Sequence, residues 1–181
     1  MNTGSLLLHP ASAPSHVDPG RTLDLLRELC FIAEPLQGDG NAYLIGAGFL
    51  QLITFMGCSP HIEVEPPADG GMNFCHVELH WMASPRLMFG ANTRPPRCPV
   101  CRKAMNTPAS SVASATRLHC PHCGSDCTVE SLLWRRDAGF ADCFIEVHSV
   151  FPGEAVPTEG LLRRLQSLGG GDWGYFYLTR S

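Results

Sequence analysis

At 181 residues, 44% hydrophobic and 17% charged, the chain has the composition of a folded globular protein, which excludes a disordered one. It is long enough for one medium domain, or one domain carrying a small insert. The net charge of −4 is divided unevenly: between Arg86 and Arg136 eight basic residues stand against Asp126 and Glu130, and the remainder holds 5 basic and 15 acidic residues. A basic segment on an acidic body fits a nucleic-acid or acidic-protein contact, or contact of the segment with its own body, and both readings stay open.

Nine cysteines, an odd number that includes two C-x-x-C pairs, point to metal-bound thiolates in a reducing compartment and so to a cytoplasmic protein. No signal peptide or membrane span is expected. The apolar run near the N-terminus is only Leu6–Leu8. The longer one, Ala42 to Cys58, is broken by Gln51, Thr54 and three glycines, short of the ~20 residues a membrane helix needs.

In chain order, residues 1–20 are rich in Pro, Ser, Gly and Ala and read as a flexible tail, with His9 and His16 as weak ligand candidates. Asp18-Pro19-Gly20 opens a helix with Leu23, Leu26, Cys30 and Ile32 on its apolar side. Residues 43–57 are core in either form, with a helix from about Gly48 preferred over a buried strand. Three stretches then alternate with period two: 61–65, 75–81 and 143–148. Their apolar faces carry Ile62 and Val64; Cys75, Val77, Leu79 and Trp81; and Cys143, Ile145 and Val147. The second and third share the pattern C-x-φ-E-φ-H, with φ aliphatic, a faint internal repeat. Pro157-Thr158-Glu159 starts a second helix, with Leu161, Leu162, Leu165 and Leu168 apolar, which Gly169–Gly171 stops. Trp173–Leu178 is a final aromatic strand whose rings are core.

The polar sides of the alternating stretches hold His61, Glu63 and Glu65; His76, Glu78 and His80; and Glu146 and His148. An ordinary solvated sheet face is the preferred reading, since antiparallel sheets commonly expose one side to water. His76 and His80 alone would lie ~13 Å apart along a strand, so a metal or acid–base site would need cross-strand partners.

The strongest signal is R-C-P-V-C-R-K followed by L-H-C-P-H-C-G. Cys98 and Cys101 form one pair, Cys120 and Cys123 the other, and the 18 residues between the pairs fit a four-cysteine zinc site. Four thiolates close a tetrahedron with no open position, as structural sites do, with Fe the rival metal. The sequence C-P-x-C-G resembles the knuckles of zinc ribbons and rubredoxins, over about residues 97–134. The resemblance implies a tight turn whose N–H groups face the sulfurs. The first knuckle departs from it, continuing with Arg102 and Lys103 where the second has Gly124. Cys127, His119 and His122 are spare ligand types, Pro108–Thr116 reads as a mobile hairpin tip, and Thr128–Trp134 as the ribbon's third strand.

The expected class is α+β: a small, mostly antiparallel sheet with two or three helices and an inserted zinc ribbon. The division is a tail at 1–20, a body of 21–94 and 137–181 open to a ferredoxin-like split β-α-β arrangement, and a ribbon at 95–136. No phosphate loop, G-x-S-x-G or H-E-x-x-H is present. The leading reading is a non-enzymatic zinc-binding accessory or adaptor protein whose ribbon meets a protein partner, in assembly of a larger or metal-containing complex. The alternatives are a nucleic-acid-binding ribbon using Arg94, Arg97, Arg102, Lys103 and Arg117, and a metal-dependent enzyme using the His/Glu sheet face.

Overall fold

The computed structural model describes residues 4–36, 38, 40–56, 62–68 and 70–179. The fold is α+β, built on a six-stranded sheet. In chain order its elements begin with strand β1 (Gly4–Pro10), helix α1 (Pro19–Glu28), strands β2 (Ile32–Pro35) and β3 (Ala42–Ile45), helix α2 (Phe49–Leu52) and strand β4 (Ile53–Phe55). Strand β5 (His76–Phe89) and helix α3 (Ala109–Ala113) follow, then strands β6 (Leu118–His119), β7 (Asp126–Cys127), β8 (Ala138–Val150) and β9 (Ala155–Pro157). Helix α4 (Glu159–Gln166) and strand β10 (Trp173–Thr179) complete the chain. The large sheet has the order β10-β1-β8-β5-β3-β2, with every neighbouring pair antiparallel. Its four strands β10-β1-β8-β5, with α1 after β1 and α4 after β8, follow the split β-α-β connectivity. Strands β4 and β9 form a separate ribbon.

Local chemistry explains the two main helices. Asp18, in extended conformation, caps α1 by accepting the Arg21 N–H at 2.7 Å, and Pro19 occupies the first turn, where no N–H is required. Thr158 caps α4 through the Leu161 N–H, and Glu159 and Arg163/Arg164 sit at the ends that suit their charges. Gly169, at φ 101°, ends that helix in the left-handed region. Arg164 and Glu28 tie the helices together at 2.7 Å. Both helices cover one face of the sheet, where Leu25, Leu26, Leu161 and Leu165 pack against Leu6, Leu8, Val77, Leu79, Ile145 and Val147.

Residues 4–10, expected as part of a flexible tail, are instead a strand between β8 and β10, with Leu6, Leu7 and Leu8 fully buried. Leu6 and Leu8 face the helices, while Leu7 joins Ala141, Phe144, Phe176 and Leu178 in a second core on the other face. A strand buried on both sides shows no alternation, which is why three leucines in a row escaped a period-two reading.

That second face is roofed by the molecule's own longest hairpin. The β5–β8 register slips between Trp81 and Arg86, and beyond it Arg86–Phe89 pair with Ala138–Ala141. The far half returns over the sheet. Ala91 N–H reaches Thr179 O at 3.2 Å, and Asn92 bonds both Tyr177 O and Thr179 N–H at 2.9 Å. Gly139 lies so close to Phe176 that a Cβ there would stand 2.5 Å from the ring.

Other expectations shift. Residues 43–55 are strand, one helical turn and strand: the helix expected from about Gly48 does start there, with Gly48 as its N-cap, but ends at Leu52 and gives way to β4. Residues 62–65 lie outside any strand; Glu63 O accepts the Cys75 N–H and Ile62 packs on the core, but Val64 is exposed. Pro108–Thr116 contains α3, whose Ala109 and Val112 are buried. Thr128–Trp134 forms a 3-10 turn, Val129–Ser131, with only Leu133 bridging Arg97.

Candidate metal centre

The segment between β5 and β8 begins and ends at a clamped neck: Arg94 forms a double hydrogen bond to Asp137 at 2.8 and 3.1 Å, and Thr93 donates to Asp137 O at 2.7 Å. Beyond it the two knuckles fold alike. In the first, Cys98 N–H bonds Lys103 O and Arg102 N–H bonds Cys98 O; in the second, Cys120 N–H bonds Ser125 O and Gly124 N–H bonds Cys120 O. Arg102 takes φ 60° where Gly124 takes φ 73°. The non-glycine departure therefore keeps the turn, at a conformational cost of roughly 1–2 kcal/mol.

These turns bring Cys98, Cys101, Cys120 and Cys123 together, one sulfur from each within 4.8 Å of the others. Cys98 Sγ lies 3.7 Å from Cys123 Sγ, and Cys101 Sγ 3.7 Å from Cys120 Sγ. Disulfide sulfurs stand about 2.05 Å apart, whereas sulfurs 2.3 Å from a tetrahedral ion lie about 3.8 Å apart. The four cysteines are free thiols and could hold a metal ion such as zinc.

Hydrogen bonding favours thiolates here. The Cys101 N–H and then the Ser125 hydroxyl hold the Cys98 thiol well down, at about 5. Cys123 is lowered by the Ser125 hydroxyl, 3.0 Å away, and by the Ser125 N–H. For Cys101 the Lys103 N–H pulls down, but burial and the neighbouring thiols push the group up to about 11. Ser125 was not singled out in the sequence; the hydroxyl two residues after Cys123 was its only signal.

Compared with known proteins, the chain matches no family model, no curated protein and no solved structure. The site therefore stands on its geometry alone.

The spare ligand types stay outside the cluster. His122 donates to Ala104 O and His119 pairs with Asp126, both exposed, while the Cys127 thiol is raised by burial. Cys98, Cys120 and Cys127 join Met105, Val112, Leu132 and Trp134 in a core that also takes in Ala138 of β8, with Leu87 and Phe89 of β5 packed against it. His9 lies half-buried in β1 against Phe144 and Phe176, its Nδ1 bonded to Pro10 O, and burial lowers its pKa.

A second constellation is where the sheet departs from a solvated face. Glu78 and Glu146 are direct cross-strand partners on β5 and β8. Around them, Glu78, His80, Glu146 and His148 bring one ligand atom each within 4.8 Å of the rest. Glu146 and His148 are buried and Glu78 and His80 half-buried. His80 Nε2 donates to Glu146 at 2.8 Å and His148 Nε2 to Glu78 at 2.9 Å. Buried His76 stacks on His148 and donates to Phe74 O. His61 lies outside the described residues, and Glu63 and Glu65 belong to the segment without a strand.

Among the described residues, no helix is long and apolar enough to cross a membrane.

Proposed function

We propose that this protein is a zinc-binding accessory or adaptor protein, whose four-cysteine ribbon presents a surface to a protein partner during assembly of a larger or metal-containing complex. The observation that carries the reading is the sulfur spacing of the cysteine cluster, which suits a closed tetrahedral site with no position for a substrate. Such a site stabilises a segment too small to fold on its own core. The ribbon rises from the tip of the β5–β8 hairpin and exposes Val100 and Leu133, apolar groups of the kind that anchor protein contacts.

The nucleic-acid reading has fewer cations to draw on. Arg94 is held by Asp137, Arg97 has its Nε buried and gives NH1 to Arg102 O, and Arg136 lies 4.5 Å over the Tyr175 ring. Part of the basic charge thus serves contact within the molecule, leaving Arg102, Lys103 and Arg117 of the five candidates, with exposed Arg86 and Arg135 beside them, for phosphate.

Elemental analysis with affinity capture tests the proposal. Wild type is expected to carry zinc on its cysteines and to recover one specific partner that Cys98→Ser loses. Val100→Asp should keep the metal and lose the same partner. Identical recoveries from all three proteins would defeat the reading.

A further inference from the structure

We propose that Glu78, His80, Glu146 and His148 form a second metal site, one that takes a divalent first-row transition ion through two imidazole nitrogens and two carboxylate oxygens. It does not depend on the ribbon holding metal.

Charge is the first argument. Two carboxylates face each other directly across β5 and β8, and Glu146 is only 3% exposed. Like charges placed opposite one another in a sheet are destabilising, and buried charges are paired or coordinate metals. A divalent ion with neutral imidazoles balances both glutamates at once.

Geometry is the second. Each imidazole sits between the two carboxylates: His80 at 2.8 Å from Glu146 and 3.7 Å from Glu78, His148 at 2.9 Å from Glu78 and 3.6 Å from Glu146. Each of these contacts uses a different nitrogen and oxygen, and an ion would draw on one atom of each residue; one such ligand atom from each of the four lies within 4.8 Å of the others. The repeat C-x-φ-E-φ-H now has a structural meaning. Run antiparallel with glutamate opposite glutamate, the two copies place each histidine diagonally beside the other strand's glutamate, a local two-fold arrangement.

Support and access complete it. The ligands stand on two paired strands, and His148 is held flat against His76, 4.3 Å away, which is itself anchored to Phe74 O at 2.8 Å. Two imidazoles favour zinc, copper, iron or nickel over magnesium or calcium, and the set is harder than four thiolates. Glu146 also lines a cavity of about 310 Å³ with Met88–Ala91, Leu178 and Thr179, and Glu78 and His80 are 26% and 22% exposed at their side chains. Water or a small ligand can reach an ion here, which the closed ribbon does not allow.

The test uses the full chain, stripped of metal under reducing conditions and titrated with Co²⁺. Wild type is expected to bind two equivalents: one with intense sulfur-to-cobalt charge-transfer absorption, one with weak d–d bands only. Cys98→Ser should lose the charge-transfer absorption and keep the weak-band equivalent. His80→Gln, at the half-exposed corner, should weaken the weak-band equivalent at least ten-fold and leave the charge-transfer band unchanged. In wild type, that equivalent should also shift the ring resonances of His80 and His148 by paramagnetic contact, a readout independent of how any variant folds. Absence of the weak-band equivalent, or ring signals of His80 and His148 that ignore it, would overturn the proposal and leave a proton-held cluster.

Discussion

His76 lies flat on His148, ring centroids 4.3 Å apart and planes 6° from parallel. It reaches no carboxylate of the Glu/His cluster in the described hydrogen bonds, so its part is to fix the plane of its neighbour. Changes at residues that orient metal ligands typically cost about 10–100-fold in affinity. His76→Leu is therefore expected to weaken cobalt binding at the Glu/His cluster by about that factor, leaving the thiolate absorption untouched. Parallel titrations of the two proteins check it.

Removing metal from the cysteine ribbon should loosen one part of the molecule only. The ribbon's buried groups form a core around Cys98 and Cys120, shared with Ala138, Leu87 and Phe89 of the β5–β8 hairpin and separate from the core under α1 and α4. Chelation, or Cys98→Ser, is expected to abolish slow amide exchange across residues 97–134 and to leave β1 and residues 143–150 protected. Hydrogen exchange read by mass spectrometry decides it; loss of protection throughout would mean the two cores are one cooperative unit.

The metal-free ribbon should weaken in acid. Cys98 is held at about 5, below its ordinary value of 9.0, chiefly by the Cys101 N–H. A depressed group contributes stability that is complete above the free-thiol value and lost as pH falls through the folded one. Ribbon protection in stripped protein is thus expected to decline from pH 9 towards pH 5. Above pH 9 Cys101, raised to about 11, works against the ribbon. Exchange measured across this range checks the direction.

Thiol labelling separates the cysteines by environment. Cys30 is exposed and should react whether or not metal is bound. Cys123, also exposed and lowered by Ser125, should react rapidly only after stripping. Cys75 and Cys143, buried under the helices and pushed up to about 12 by that burial, should stay unlabelled until the sheet unfolds. Peptide mapping after brief alkylation reads all four.

Leu7→Ala probes the strand that replaced the expected tail. Leu7 is fully buried between Phe144 and Phe176 in the smaller core. Large-to-small changes at such sites cost about 2–5 kcal/mol. A melt of this variant that matched wild type would contradict the buried placement of β1.

What could be read from the residues followed the strength of local signals. Asp18 and Thr158 announced the two helices because a capping side chain acts within three residues. Val77, Leu79, Ile145 and Val147 announced two strands because only one side of each meets the helices. The cysteine pairs were legible because each C-x-x-C falls within one tight turn, a local feature. Long-range facts were not. Nothing near Leu7 says that β8 and β10 will flank it. Nothing near Glu78 says that Glu146 will stand opposite, and the preference for a solvated face failed because the hairpin folds back over that face. Ile62 and Val64 alternate like a strand, yet only Ile62 packs on the core while Val64 is exposed, and the segment forms no strand, since pairing depends on what lies alongside.

The placement of β1 also constrains how the protein is made. Leu7 pairs across to Phe176 on one side and to Glu146 on the other, so β1 must wait for two strands synthesised well over a hundred residues after it. Until β10 leaves the ribosome, three adjacent leucines have no permanent shelter. Nascent chains stalled before Trp173 should therefore be the sticky, chaperone-seeking species, and release of the last strand the moment at which the sheet can close.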